Sequence, residues 1–382
     1  MHRTVAAATA HIRMSVEELR PAPGVVSGYL WIPAVAAAVV YPISVTVFVN
    51  SYHAARAGDS IWSVVRGLGA IAALVLACAA PMLALRGLYA LRLAVTAQAS
   101  AVRRLLLMTV AVPPLYLLSG RISDLLSPLV GGRAVSDPVV WCGLWVGLCL
   151  LVLYAGRRPG GSQLPVEAAA GADSRRWLPR VSSARVRSVH RAAVIAVVVT
   201  FLVMHLANHV VALWSVSWHR ATMLALRSWY RAVWMEPVIL GLFVIAAASG
   251  LLRLARLTRS AADGLRVLQL ASGAYLACFL VSHLWATLGA RYHGIDPDWN
   301  YAAAGSGKAG MLATSGSAAV LIYYAFAVLA LGSHAGLGLR MLLLSRHVRA
   351  AAANRAARLT AIVGSTLAIL IVAALIGVRL GG

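Results

Sequence analysis

Charge is thin in this chain, and where it occurs it is nearly all of one kind. Charged residues make up 12% of the 382 positions, and every one of the 34 basic residues except Lys308 is an arginine. The arginines lie between apolar runs rather than on one basic face, which argues against a nucleic-acid-binding surface. Cysteine is sparse as well. Cys78, Cys142, Cys149 and Cys278 sit singly in apolar stretches with no Cys-x-x-Cys pair, a pattern that indicates neither a disulfide framework nor an iron–sulfur or zinc site. They read as small core residues. Gly305-Ser306-Gly307-Lys308 lacks the spacing of a phosphate loop. With no flavin, nucleotide or substrate motif, any chemistry on a soluble substrate would belong to another polypeptide.

What the chain has in quantity is apolar sequence. Hydrophobic residues are 61% of the total, the composition of a membrane protein, so the net charge of +23 is read as a topology signal. Residues 1–28 lack the apolar core of a cleaved signal and read as a cytoplasmic leader. Nine apolar runs follow, each near the roughly 20 residues a bilayer crossing needs: about 29–49, 67–85, 105–120, 138–155, 192–214, 235–252, 267–290, 311–339 and 359–378. The third is short and holds Pro113-Pro114. Counting Lys and Arg on alternate sides gives 24 against 10, which places the N-terminus inside and the C-terminus outside. The expected location is the cytoplasmic membrane of a prokaryote.

The longest inner loop, 156–191, is rich in Gly, Pro, Ala and charge and reads as a linker. The expected architecture is therefore an all-α integral membrane protein with nine transmembrane helices. A four-span block over 29–155, of unknown role, precedes a five-span block over 192–382.

The C-terminal block carries the chemistry. Phe-Leu-Val-Met-His-Leu over 201–206 recurs as Phe-Leu-Val-Ser-His-Leu over 279–284, putting His205 and His283 at the same place on two apolar helices. Ionisable side chains in hydrocarbon are functional candidates by default, and a histidine pair facing across two helices is how a bundle grips a b-type haem. Depth agrees: His205 is 13 residues past Ala192 and His283 is 16 past Val267, roughly 20 and 24 Å along parallel helices. His334, on the next helix, lies six residues before Arg340, in the inner half. Its partner is expected on the sixth span at Ala246, where there is no histidine.

These stretches, with Ser333-His334-Ala335-Gly336-Leu337-Gly338-Leu339-Arg340, resemble helices of the cytochrome b membrane anchor of succinate dehydrogenases and fumarate reductases, the single-chain five-helix type, over about residues 188–380. The resemblance implies one haem b held by His205 and His283 near the outer face. It also implies a second, inner haem with His334 as a ligand and its other ligand missing. Electrons would pass between a quinone and a partner redox subunit. The usual partners are a flavoprotein and an iron–sulfur subunit on the cytoplasmic side.

Other residues admit two readings. His209, one turn beyond His205, is an outer-cavity or propionate-contacting residue, or the ligand in place of His205. Glu236, before Pro237, is a proton acceptor for quinol, as the resemblance implies, or an acid favoured at a helix start. The loop with His293, Asp296 and Asp298 reads as solvated, and His53, at a span end, is given no cofactor. Trp214, Trp218, Trp229 and Trp234 read as an interfacial belt. Arg185, Arg187 and Arg191 read as topology signals, with a contact to anionic lipid or a haem propionate as the secondary reading. The rival reading is a haem-free multi-span transporter or scaffold built from duplicated four-helix units, with the histidines in a proton path.

Overall fold

The computed structural model describes residues 28–57, 61–94, 96–130, 137–157, 183–258, 262–303 and 310–380. Nearly all of the leader and most of the linker lie outside these, as does Lys308. Every regular element among the described residues is a helix. Seven continuous helices are long and apolar enough to cross a bilayer, and two bent pairs raise the number to nine if each counts as one span.

Both bends fall where proline forbids a continuous helix. Helices α1 (Ile32–Val39) and α2 (Tyr41–Arg56) meet at 54°, with Pro42 in the first turn of α2. Helices α4 (Ala97–Val110) and α5 (Val112–Leu126) meet at 79°, immediately before Pro113-Pro114. Proline lacks the N–H that the preceding turn needs and clashes with it, so the helix ends and restarts at a new angle. The short third run of the sequence, 105–120, thus spans the break and takes in part of both arms. Between the pairs lies α3 (Ile61–Ala90), and after them α6 (Asp137–Arg157).

The C-terminal block opens with α7 (Ser183–Val197), which passes through a π-turn (Val198–Leu202) into α8 (Val203–Val211) as one continuous span. Next come α9 (Val216–Tyr230), α10 (Met235–Leu257), α11 (Gly264–Tyr292), the single turn α12 (Trp299–Ala302), α13 (Ser315–Ser345) and α14 (Ala350–Leu375). The segment after α8 is not a simple loop under a tryptophan belt. Ser215 caps α9 by accepting from Trp218 N at 3.0 Å, and the helix folds back along α8 until Trp229 Nε1 donates to Thr200 O at 3.3 Å. Trp214, Trp218, Trp229 and Trp234 remain exposed, and α9 buries His219, Met223 and Arg227.

The two blocks share one apolar core. Trp141, Trp145, Tyr41 and Leu105 from the N-terminal block belong to the same buried cluster as Val267, Tyr275 and Ile322 from α11 and α13. Polar bonds cross the same boundary. Arg103 Nη1 donates to Thr258 O at 2.9 Å, Ala262 N to Arg92 O at 2.8 Å, and His53 Nε2 to Leu312 O at 2.8 Å. Helices α13 and α14 cross so closely that a Cβ on Gly332 would lie 2.7 Å from Gly364 Cα, the small-residue packing that membrane helices use in place of a hydrophobic drive.

Candidate functional site

Between α7–α8, α10, α11 and α13 runs an apolar cavity of about 440 Å³ whose lining includes His190, His205, His209, His283 and His334. The repeated hexapeptide explains part of it. Phenylalanine and histidine four residues apart share a helix face, and in both copies the rings stack: Phe201 on His205 at 4.9 Å and Phe279 on His283 at 5.2 Å. Each stack is worth about 1 kcal/mol beyond the area it buries and orients an imidazole without a hydrogen bond. The two oriented rings meet edge-on, with centroids 6.1 Å apart and planes at 67°.

His334 also has an imidazole neighbour, though not on the sixth span. It is His190, from the start of the helix that carries His205. The rings are 6.4 Å apart and perpendicular. The sixth span contributes what its sequence allows, a carbonyl in place of an imidazole. His190 Nδ1 donates to Ala246 O at 3.1 Å and lies 3.2 Å from Ser249 Oγ. His334 Nδ1 donates to Gln269 O at 3.2 Å, with Ser272 Oγ at 3.3 Å. With Nδ1 carrying the proton, Nε2 of both rings is left with its lone pair. That tautomer is what a metal-binding imidazole needs, and a carbonyl on the far nitrogen is the usual way to fix it. Glycine opposite each ring gives it room. A Cβ on Gly250 would lie 3.2 Å from His190 Cε1, and one on Gly273 3.0 Å from His334 Cε1.

The separations suit one metal per pair. Two imidazole nitrogens, each ~2 Å from a shared iron and each roughly 1 Å from its own ring centre, put the centroids about 6 Å apart. Among the described residues no group of three or more His, Cys, Asp or Glu converges to cage a metal ion. What the cavity offers is imidazoles in pairs, set in apolar walls.

The remaining candidates sit at the α9 end. His209 lies beside His205 at 4.8 Å and its Nδ1 is buried without a partner. Asn208 Nδ2 donates to His219 Nε2 at 3.1 Å. His219 was not singled out from sequence. It is buried, and that burial, with the charge of Arg227 nearby, pushes its pKa down to about 4. Arg227 donates to both oxygens of Asp296 at 2.8 Å and holds that carboxyl below its usual range. Asp296 thus anchors the loop to α9 while the loop stays exposed, in keeping with its reading as solvated. Asp298 caps α12 by accepting from Tyr301 N at 3.1 Å. Glu236 is ion-paired with Arg291 and is not part of the cavity wall.

The sequence hid His190 because Arg185, Arg187 and Arg191 flank it and mark the segment as a membrane edge. The usable signal was its spacing from His205, fifteen positions along one helix.

No family model, curated protein or solved structure matches the chain. The fold defines the class: an all-helical, multi-pass integral membrane protein, with its apolar helices suited to a lipid bilayer.

Proposed function

We propose that this chain is a haem b-binding membrane subunit that passes electrons between a quinone and a partner redox subunit, with the resemblance to cytochrome b anchors as its nearest analogy. The observation that carries the reading is two imidazole couples, with ring centroids 6.1 and 6.4 Å apart, in one apolar cavity. His205 and His283 would hold the haem toward the outer face, and His190 and His334 a second one toward the inner face. When bound, haem supplies one-electron chemistry that no side chain of this chain provides. The chain's own residues orient the ligands. Phe201 and Phe279 do so by stacking, and Ala246 O and Gln269 O by fixing the tautomer. The apolar walls exclude water and so set the potential. His209, beside the outer pair, is the residue placed to contact an outer group. Glu236, tied to Arg291 at the rim, is a weaker choice for a quinone contact than its sequence position implies.

The test is a reduced-minus-oxidised optical spectrum of the purified protein together with a haem-to-protein ratio. The reading expects b-type bands and two haems per chain, with His283→Ala removing one and His190→Ala the other. A spectrum without such bands rejects it in favour of a haem-free transporter or scaffold.

A further inference from the structure

The end of the cavity away from α9 is lined by two arginines. Arg253 on α10 and Arg266 on α11 belong to the same wall as His190 and His334, and both are half-buried. Arg253 has Arg266 and Arg187 as its charged neighbours. Among the described residues, the carboxylate beside this group is Asp263, next to Arg266, and its Oδ1 caps α11 by accepting from Arg266 N at 2.7 Å. The four ion pairs found among the described residues involve Arg121, Arg227, Arg231 and Arg291. Gln269 ties the cluster to the histidine pair. Its Oε1 accepts from Arg266 Nη1 at 2.7 Å while its backbone carbonyl accepts from His334 Nδ1. Three guanidiniums gathered at a half-buried mouth repel one another and are stable together only with counter-charge. Guanidinium forks are the side chains best shaped to clasp carboxylate or phosphate in two parallel bonds.

We propose that Arg253 and Arg266, with Arg187 at the rim, form a seat for oxyanions at the mouth of the cavity. The seat takes either the carboxylates of a group lodged between His190 and His334 or the phosphate of an anionic lipid entering by the same opening. The carboxylate case rests on the haem reading above, and the phosphate case stands without it. Neutralising the two arginines that line the wall removes the seat and leaves His190, His334 and their carbonyl partners in place.

Purified full-length protein and the R253Q/R266Q variant are compared in two assays. The first follows transfer of protohaem, and of protohaem dimethyl ester, from the protein to excess apomyoglobin. The second measures retention of phosphatidylglycerol against phosphatidylcholine after detergent exchange. A carboxylate seat makes the wild type release protohaem at least tenfold more slowly than the ester, a difference that the variant erases. A phosphate seat gives a tenfold preference for phosphatidylglycerol that the variant loses. If the wild type shows neither preference, or the variant keeps both, the seat is refuted. If the wild type binds no haem, the function proposed above fails and the lipid assay alone decides the seat. Should the double variant not fold, R253Q and R266Q are read separately in the same two assays.

Discussion

At the scale of the residue, the site is governed by what stands next to each imidazole. Glycine at 273 admits the His334 ring, since the first atom of any side chain there would sit 3.0 Å from Cε1. Gly273→Val forces the ring aside, and overpacking of this kind costs about 1–3 kcal/mol. The expected outcome is loss of one haem in two, with the band that depends on His283 unchanged. Equal loss of both bands would show that the pairs do not act separately. Phe279→Ala makes the complementary case. It removes the stack that orients His283 and, if stacking is what holds the ring, raises the haem dissociation rate about tenfold without changing the final stoichiometry. The outer couple was legible in the sequence because each phenylalanine–histidine unit lies within one short, repeated stretch. The inner couple was not, because its histidine is 144 positions from its partner and sits among arginines that carry a stronger topological message.

At the scale of the element, the π-turn keeps two histidines of one helix on one face. Fifteen residues of regular α-helix leave His190 and His205 roughly 60° apart, whereas fourteen leave them roughly 40° apart on the other side. One residue taken up as a π-bulge gives the longer segment the phase of the shorter, and such bulges recur at functional sites. Deleting Val199, which is exposed, should therefore restore regular helix and leave both haem bands within about twofold. Inserting an alanine at the same place should abolish the band that depends on His205. Equal effects of deletion and insertion would remove the bulge from the account. The fold-back of α9 carries a pH dependence. His219 has its folded pKa lowered to about 4 from an ordinary value of 6.5, so the unfolded chain binds more protons between those values and stability falls as pH drops through that window. Thermal unfolding followed from pH 7.5 to pH 4 should show the midpoint falling, and His219→Phe should make the fall shallower. Asp296 adds to the same trend at lower pH, because its depressed carboxyl loses the Arg227 contact once protonated. None of this was visible in the sequence, where four tryptophans gave the segment the look of a simple interfacial loop.

At the scale of the whole molecule, the sequence shows two blocks but not that they depend on each other. Alternating apolar runs and arginine-rich loops reveal the crossings because lipid imposes one length and one charge bias on all of them. Which faces meet is decided by small residues and polar contacts scattered among distant helices, and these leave no periodic trace. Gly264, at the first turn of α11, faces Tyr89 so closely that a Cβ would lie 2.8 Å from its ring. Arg103 reaches Thr258 O, and Tyr41 and Trp141 share a core with Val267 and Ile322. Without the first block, α11 and α13 would present to lipid the faces that now cover Tyr275 and Ile322, and Thr258 O would lose its guanidinium donor. A chain of residues 171–382 alone is therefore expected to bind less than a tenth of the haem held by the full chain and to elute as aggregate. Co-expression with a separate 1–170 fragment should restore both properties, because these contacts run between helices and not through the cut. If residues 171–382 alone gave a monodisperse protein with both haem bands, the first block would be an attachment rather than a wall of the site.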